Sequence, residues 1–309
     1  MSAYSFKHEL LKWGPTANAP VPDRDTSQDY CRKLTRAHYE NFPVVSWLLP
    51  RKWHQHFYNV YAWCRWADDL GDEVPPELAE QIGLSPTELL DWWEAETGRC
   101  YAGEPTHPVT VALQPTIRQC GIPQQPFLDL VSAFKQDQIV TEYETWEQLL
   151  DYCRRSADPV GRLVLYVCDA FTEERALWSD QICSGLQVTN FWQDVGRDYR
   201  EKGRIYLPEE DRKQFGYSRE AFEEQREDEA FRELMQFEVN RARELLLGGN
   251  PLINDLNGRL KKEIHLFQLG GLRILEKIEH IDYQVWTTRP KLTRTDIPLL
   301  FWRTLFRSH

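Results

Sequence analysis

The sequence predicts an all-α protein with a single domain. No segment shows a convincing two-residue alternation of apolar and polar residues, which is the pattern of a half-buried strand. Helix-start motifs and apolar residues at helical spacing are frequent instead. The proline-bearing stretches are too short to serve as flexible linkers between domains. We therefore expect residues 1–309 to form one bundle of about eight or more helices.

Two capping motifs indicate where helices begin. Ser85 precedes a proline at the first helical position and Glu88 at the third, just before the apolar letters LLDWW. Thr145 precedes Gln148 in a similar arrangement, before LLDYC. In such a motif the two side chains satisfy backbone N–H groups that a helix start leaves unpaired. We expect one helix to start at each of these positions.

Charged and periodic sequence extends over residues 218–247. Its apolar residues recur at helical spacing among many acids and bases, which indicates one amphipathic helix. Gly248 and Gly249 follow and should end it, because glycine suits the C-cap of a helix. A further helix should stop near Gly203, ahead of Pro208.

Composition excludes several classes of protein. With 41% hydrophobic and 28% charged residues, the chain can bury a substantial core. The net charge of −11 disfavours nucleic acid as a partner, because phosphate binding relies on Lys and Arg. No apolar run approaches the roughly 20 residues of a membrane-spanning helix, and the N-terminus lacks the apolar core of a signal peptide, so we expect a cytoplasmic protein. Seven cysteines without a C-x-x-C pair indicate neither a disulfide frame nor a zinc site.

Three aspartates interrupt an aromatic stretch in "CRWADDLGDE", Cys64 to Glu73. On a helix, Arg65, Asp68 and Asp72 share one stripe, whereas Asp69 points elsewhere. Acids on a surface helix usually form only a solvated face. The apolar neighbours of this stripe leave little of the helix for solvent, and buried carboxylates need a positive partner. The stripe is therefore a candidate site.

A second polar stripe occurs in "LQVTNFWQDVGRDYREKGRIYLP". Its members recur at helical spacing, again on an aromatic-rich helix: Gln187, Asn190, Asp194 and Asp198. Carboxylates that face each other across a helical bundle repel unless cations lie between them. Two such stripes therefore predict a shared cation site.

The residue types in the stripes indicate which cation would bind there and which further ligand that cation would need. Oxygen ligands without His or Cys at coordinating offsets favour Mg²⁺, or Mn²⁺, over zinc. Mg²⁺ usually completes its shell with waters and substrate phosphates, so a diphosphate is the expected ligand. Bases that could balance its charge are Arg65, Arg197, Arg200, Lys202 and Arg204.

The hydrophobic residues indicate the rest of the substrate. Neither the P-loop pattern nor G-x-G-x-x-G occurs, so a nucleotide is not indicated. A bundle with acids at one end and Phe, Tyr and Trp along its interior suits an anionic head on a long hydrocarbon tail. Loss of diphosphate from such a molecule leaves a carbocation, which each ring face can stabilise by about 1–2 kcal/mol.

The two stripes are similar to the aspartate motifs of the squalene and phytoene synthase family, all-α enzymes that join isoprenoid diphosphates head to head. "YAWCRWADDLGDE" resembles the first motif and "LQVTNFWQDVGRDYREKGRIYLP" the second. Between them, "FKQDQIVTEYETWEQLLDYCRRSADPVGRLVL" resembles the central helix pair. The resemblance runs from about His38 to Leu275. It implies an isoprenoid-synthase-type helical bundle with a central cavity.

The resemblance also implies roles for individual residues. The catalytic residues that it implies are Tyr152, near the cationic intermediate, and the Mg²⁺-diphosphate ligands Asp68, Asp72, Asp194 and Asp198. The substrate-binding residues that it implies are Phe42, Asn41, Arg65, Asp137, Gln187 and Asn190, of which Asn190 is also a metal ligand. Without the family, Tyr152 could equally be a core tyrosine, and Asn41 a cap or polar core residue.

Two departures from the condensing enzymes indicate a subgroup. Tyr39-Glu40-Asn41-Phe42 stands where those enzymes commonly have the serine-rich S-x-S-F, and Gln193 stands where many have arginine. Both "ENFPVVSWLLPR" and "NFWQDV" resemble the bacterial hydroxysqualene synthases of hopanoid pathways. Members of that subgroup ionise presqualene diphosphate with rearrangement and quench the cation with water, so NADPH is not expected.

Other functions and contacts stay open at this point. A squalene, dehydrosqualene or phytoene synthase would condense two farnesyl or geranylgeranyl diphosphates with the same stripes. A non-catalytic helical partner of the pathway enzymes would gain nothing from four motif aspartates. The C-terminal "TRPKLTRTDIPLLFWRTLFRSH" mixes bases with large apolar residues. This pattern fits a helix at the inner face of a membrane or a helix docked on the protein.

Overall fold

The computed structural model describes residues 5–38 and 50–306, and these residues confirm the all-α prediction. They form sixteen α-helices. Within the same two ranges the only extended pairing is an isolated β-bridge between Glu142 and Ile205.

The chain divides into two compact units. The first comprises Met1–Ile139 and Arg162–Phe171, and the second comprises Val140–Gly161 and Thr172–His309. The expectation of a single domain stays a prediction. The first acidic stripe belongs to the first unit and the second stripe to the second unit.

The first unit is built around the helix that carries the first stripe. Its helices are α1 Phe6–Trp13, α2 Arg24–Ala37, α3 Arg51–Asp72, α4 Pro76–Ile82, α5 Pro86–Ala102, α6 Pro108–Cys120 and α7 Gln125–Gln136. Helix α3 packs against α2, α5, α6 and α7. The buried Trp63 and Trp66 of α3 both contact Trp93 of α5, with ring centroids 6.0 and 5.6 Å apart. This aromatic core fixes α3 along most of its length.

The second unit is built around the helix that carries the second stripe. Its helices are α8 Trp146–Ser156, the start of α9 Asp158–Val167, α10 Glu173–Lys202, α11 Glu209–Gln214, α12 Arg219–Glu223, α13 Glu229–Gly248, α14 Asn250–Asp255, α15 Gly258–His280 and α16 Asp296–Phe306. Helix α10 packs against α8, α13, α14 and α15. A Cβ atom at Gly185 would lie 2.9 Å from the backbone N of Leu246, so glycine permits the close approach of α10 and α13.

The predicted capping motifs are present at the helix starts. Ser85 Oγ accepts from the backbone N–H of Glu88 at 3.3 Å, and the Glu88 carboxylate accepts from the backbone N–H of Ser85 at 2.8 Å. Thr145 Oγ1 accepts from the backbone N–H of Gln148 at 3.2 Å. The side chain of Gln148 accepts from Glu144 rather than from Thr145, at 2.9 Å. The second motif is therefore an N-cap without the reciprocal bond.

The prediction of one helix over residues 218–247 is wrong, because the chain breaks between α12 and α13. Gln225 adopts a left-handed backbone conformation, with φ 53°. Asp228 then starts a new helix by accepting from the backbone N–H of Phe231 at 3.1 Å. Helix α13 ends at Gly248, and α10 ends before Gly203, whose φ is 64°, both as predicted.

Ion pairs dock the C-terminal helix α16 on α15. Asp296 accepts from Arg273 Nε at 2.8 Å and lies 2.7 Å from Nζ of Lys277. Arg303 reaches Glu276 at 2.8 Å. These contacts support the docked interpretation of the C-terminal segment, and membrane contact stays a prediction. In the part of the chain that the structure describes, no helix is both long enough and apolar enough to cross a bilayer.

A buried acidic pair in the second unit shares one arginine. Arg241 donates to both carboxylate oxygens of Asp211, at 2.7 and 3.2 Å. The carboxylate of Glu238 lies 3.6 Å from the same guanidinium and is completely buried. Burial and the charge of Asp211 raise the pKa of Glu238 well above its ordinary value, although Arg241 opposes the shift.

We expect Glu238→Gln to stabilise the protein above about pH 5 and to leave stability nearly unchanged near pH 4. The pKa of this carboxyl is higher in the folded protein than its value of 4.5 in the unfolded chain. The free energy of unfolding is therefore highest below pH 4.5 and falls as pH rises above it, because the unfolded chain ionises more readily than the folded protein. Glutamine removes that loss, so the free energy of unfolding at pH 8 should be higher for the variant than for the unmodified protein. Urea unfolding at both pH values measures the effect. Glu244→Gln, at an exposed position on the same helix, is the control, and equal gains from both variants would contradict this account.

Candidate functional site

The first stripe lies at the C-terminal end of α3, where Arg65 binds two aspartates. Its guanidinium lies 3.3 Å from Asp68 and forms a closer ion pair with Asp69. Asp69 is completely buried, whereas the side chain of Asp68 is 43% exposed. The buried acid of this motif is therefore Asp69, which the sequence pattern placed outside the stripe. The spacing of four residues between Arg65 and Asp69 was the signal for this pair.

Burial changes the protonation of Asp69. It raises the pKa of this carboxyl to about 7, with smaller contributions of the same sign from the charges of Asp68 and Glu73, although Arg65 opposes the shift. Asp69 therefore carries only part of a negative charge at neutral pH. Asp68 and Asp72 lie on the less buried side of α3, where they remain accessible to a ligand.

The structure brings Asp137 to the same end of α3. Asp137 directly follows α7, and the next residue, Gln138, donates to the carbonyl of Gly71 at 3.3 Å. A Cβ atom at Gly71 would lie 3.1 Å from the Gln138 amide, so the two segments are in close contact. Gln138 therefore adjoins the last turn of α3, and the role of its neighbour Asp137 in substrate binding stays a prediction.

The second stripe lies on the open side of an otherwise buried stretch of α10. Asn190 is exposed, and Gln187, Asp194 and Asp198 are partly exposed. The residues that alternate with them point into the unit and are buried: Val188, Thr189, Phe191, Trp192, Gln193, Val195 and Gly196. The predicted stripe is thus a continuous polar face, available to a ligand along about three helical turns.

Arg289, which the sequence pattern did not single out, binds the centre of this stripe. Its Nε and Nη2 atoms donate to the two carboxylate oxygens of Asp194, the second at 2.8 Å. The pair is bidentate, the geometry in which a guanidinium recognises a carboxylate or a phosphate most strongly. Arg289 lies 95 residues after Asp194, so no helical periodicity connects them.

Asp198 lies one turn beyond Asp194 and feels its charge. Burial, and then the negative charge of Asp194, raise the pKa of Asp198 to about 6. Lys202, Arg197 and Arg204 oppose this shift only in part. Burial and the charge of Asp194 therefore both oppose ionisation of Asp198, and a cation bound next to it would favour its charged form.

Arg197 and Arg200, two of the five predicted phosphate-binding bases, form contacts within the second unit. Arg197 pairs with Glu201 at 2.9 Å. Arg200 donates to the side chain of Gln225 at 2.8 Å and to the carbonyl of Trp286 at 3.2 Å. Arg200 therefore binds a neighbouring segment rather than extending to the open side of the stripe.

Four aromatic rings lie directly beneath the second stripe. Phe191 and Tyr206 stack face to face, with centroids 3.7 Å apart. Tyr152 contacts both, at 6.2 and 6.3 Å, and Tyr143 contacts Tyr206 at 5.9 Å. All four rings are buried. Tyr152 is therefore part of an aromatic cluster that begins one residue after Asn190, which fits the predicted role beside a cation.

Two predicted substrate-binding residues cannot be placed. Phe42 and Asn41 lie outside the described residues. Their assignment stays a prediction.

The oxygen ligands of the second stripe suit Mg²⁺, which also binds waters and substrate phosphates, better than a metal ion whose ligands all come from the protein. Among residues 5–38 and 50–306, no group of three or more His, Cys, Asp or Glu side chains could hold a metal ion. Mg²⁺ normally takes one or two carboxylates and completes its shell with waters and substrate phosphates. The carboxylates of Asp194 and Asp198, one turn apart on the open face of α10, would supply these one or two ligands.

Comparisons with known proteins agree with these motifs. A family model described as squalene/phytoene synthase matches residues 35–296. The crystal structure of squalene synthase HpnC from Alicyclobacillus acidocaldarius shares 44% identity and a TM-score of 0.78, over 84% of this chain and 95% of that one. The hydroxysqualene synthase of Rhodopseudomonas palustris is 36% identical over 79% of this chain and 80% of its own length. The phytoene synthase of Arthrospira platensis is 31% identical over 90% of this chain and 92% of its own length.

We expect Asp198→Asn and Asp194→Asn to have opposite effects on the metal-free protein. Because the pKa of Asp198 is raised from 3.8 to about 6, folding loses stability as pH rises through this range, and asparagine abolishes the loss. Asp194→Asn instead removes the bidentate pair with Arg289. Thermal unfolding in EDTA should therefore show a higher Tm for Asp198→Asn at pH 7.5 but not at pH 4, and no gain for Asp194→Asn. A pH-independent gain for Asp198→Asn would refute this interpretation.

Proposed function

Because the chain belongs to the squalene/phytoene synthase family, we propose that it is a hydroxysqualene synthase. In this reaction the bond between carbon and diphosphate in presqualene diphosphate breaks, and the resulting carbocation rearranges. Water adds its oxygen to the cation and loses a proton, which gives hydroxysqualene and diphosphate. No hydride is consumed, so the proposed reaction does not use NADPH.

Similarity to a subgroup of the family is the observation that carries this choice. The 44% identity with squalene synthase HpnC and the 36% identity with a hydroxysqualene synthase exceed the 31% identity with a phytoene synthase. The motif letters "NFWQDV", which resemble those of hydroxysqualene synthases, belong to the second stripe. These similarities support the proposal of presqualene diphosphate as the substrate.

We assign the binding of the diphosphate to the two aspartate motifs and their arginines. Asp68 and Asp72 on α3, and Asp194 and Asp198 on α10 with Asn190, are the proposed ligands of Mg²⁺-diphosphate. Bound Mg²⁺ would stabilise the negative charge that develops on the leaving group. Arg65 and Arg289, which now bind aspartates, present planar N–H groups that suit phosphate oxygens equally well.

The aromatic cluster is the proposed stabiliser of the carbocation. Phe191 lies within one turn of Asn190 and Asp194, and the rings of Tyr152 and Tyr206 pack with it in a buried cluster. A cation left at these rings by the diphosphate would meet ring faces rather than water. Exclusion of water also prevents premature quenching at the wrong carbon.

A condensing synthase is the second candidate, and Arg289 is the observation that favours it. The replacement of arginine by Gln193 removes a cation from α10, but Arg289 returns one to Asp194 from another segment. Gln193 alone therefore does not argue against condensation of two prenyl diphosphates. The 31% identity with a phytoene synthase over 90% of the chain supports the same candidate.

Two incubations distinguish these candidates. Purified protein with Mg²⁺ should convert presqualene diphosphate to hydroxysqualene and should give no product from farnesyl or geranylgeranyl diphosphate, as measured by gas chromatography with mass spectrometry. Asp68→Asn/Asp194→Asn is the inactive control. A condensation product from either prenyl diphosphate would establish the second candidate, and inactivity with all three substrates would favour a non-catalytic partner protein.

The aromatic cluster predicts a difference between two substitutions of Tyr152. Tyr152→Phe keeps the ring and should retain kcat within a few-fold, whereas Tyr152→Leu removes it and should lower kcat by about tenfold or more, which corresponds to one cation–π contact of about 1–2 kcal/mol. Steady-state kinetics and Tm of both variants provide the measurement. If Tyr152 were only a core residue, Tyr152→Leu would lower Tm without a loss of kcat in the folded fraction.

A further inference from the structure

The chain between α15 and α16 lies beside the second stripe, against the flank of α10 that carries Gln193, Gly196 and Arg200. We define the strap as residues Trp286–Pro290, which contain Arg289. All contacts of the strap considered below are with residues of the second unit. The inference drawn from them rests on the proposed function, since it concerns how Arg289 is presented to a diphosphate.

The first part of the strap is fastened by two charged side chains. The carboxylate of Glu227 accepts from the backbone N–H groups of Trp286 at 2.9 Å and of Thr287 at 3.1 Å. Arg200 extends over Gly196 and donates to the carbonyl of Trp286 at 3.2 Å. The indole of Trp286 is buried against Phe222, with ring centroids 4.8 Å apart. The strap therefore has a defined path before it reaches Arg289.

The last residue of the strap is fastened by Gln193. The side-chain amide of Gln193 donates to the carbonyl of Pro290, and both residues are buried. Gln193 and Asp194 are consecutive on α10, and Arg289 and Pro290 are consecutive on the strap. Two adjacent cross-links thus join the same two segments: one amide-to-carbonyl bond and one ion pair.

The two cross-links differ in their capacity to fix a position. The side chain of Arg289 is 34% exposed, and an ion pair at such a site is a weak constraint on a long, flexible side chain. A hydrogen bond between buried groups is a stronger constraint, because breaking it leaves a polar group without water. The bond from Gln193 is therefore the contact that keeps the backbone directly after Arg289 against α10, whereas Arg200 binds the backbone before it, at Trp286.

We propose that Gln193 is a positioning residue, which holds the strap so that Arg289 lies against Asp194, at the centre of the second stripe. Gln193 faces the strap and not the open side of α10, so it acts through Arg289 rather than on the substrate. In this chain the residue before Asp194 is Gln193, whose amide aligns the strap, and the positive charge comes from Arg289 on the strap.

A matched control separates positioning from ordinary stabilisation. Gln268 is also buried in the second unit, and its amide donates to a backbone carbonyl, that of Leu246, at 2.6 Å. Methionine matches glutamine in length and shape but cannot donate a hydrogen bond. Gln193→Met and Gln268→Met should therefore both lower Tm, and only the first should disturb Arg289.

The experiment measures the binding of inorganic diphosphate in the presence of Mg²⁺ by isothermal titration calorimetry. Gln193→Met and Arg289→Met should each weaken binding by about tenfold, the loss expected for one charge-assisted contact. The double variant should bind no more weakly than Arg289→Met alone, because Gln193 has no further role once Arg289 is gone. Gln268→Met should bind as the unmodified protein does. An equal loss from Gln193→Met in both backgrounds, or an equal loss from Gln268→Met, would overturn the proposal.

A second measurement keeps this inference separate from the proposed function. In urea unfolding without metal or ligand, the destabilisation caused by Gln193→Met should be smaller in the Arg289→Met background, since the two residues secure the same segment. Failure of the unmodified protein to bind diphosphate would count against the proposed function, whereas the unfolding experiment still decides the coupling. Strictly additive effects would refute the strap as a unit.

Discussion

Each acidic stripe depends on an arginine that holds one of its carboxylates. Carboxylates on helices with buried surroundings are costly unless a positive group is near. On α3 the balance is local, because Arg65 reaches Asp69 one turn away on the same helix. On α10 the balance comes from a distant segment, because Arg289 belongs to the strap. The charge of the first stripe is therefore balanced within its own helix, whereas that of the second stripe is balanced by a segment packed beside it.

Close packing of the helices around α10 leaves the second stripe as the polar face of that helix. Helix α10 is buried on most of its circumference by α8, α13, α14 and α15, and glycine at position 185 allows α13 to approach. The polar residues keep one open face, and Phe191 on the neighbouring face stacks on Tyr206. A single helix thus presents carboxylates and, within one turn, an aromatic cluster. A diphosphate and the cation that it leaves require these two environments side by side.

The features that could be predicted from the sequence are those that depend on residues close together in the chain. The period of 3.6 residues placed both stripes on helices, and caps such as Ser85 fixed their neighbours, because these features depend on residues close in sequence. The break at Gln225 was missed because the residues around it continue the amphipathic pattern, and only the cap at Asp228 marks it. Asp69 and Arg289 were missed for different reasons. Burial of Asp69 depends on tertiary packing, and the partner of Asp194 lies on a segment that no periodicity identifies.

The role of Gln193 shows why a substitution within a motif has to be interpreted with its tertiary contacts. In the sequence, glutamine in place of arginine indicates the loss of a cation from the phosphate end of the site. In the structure, the same glutamine binds the carbonyl next to Arg289, so the charge is supplied from the strap. Asp194 therefore has an arginine partner although the preceding helix position does not supply one. It follows that the identity of this one residue cannot determine which isoprenoid diphosphate the site accepts. That specificity has to arise where the hydrocarbon is bound, because the two candidate reactions release the same diphosphate.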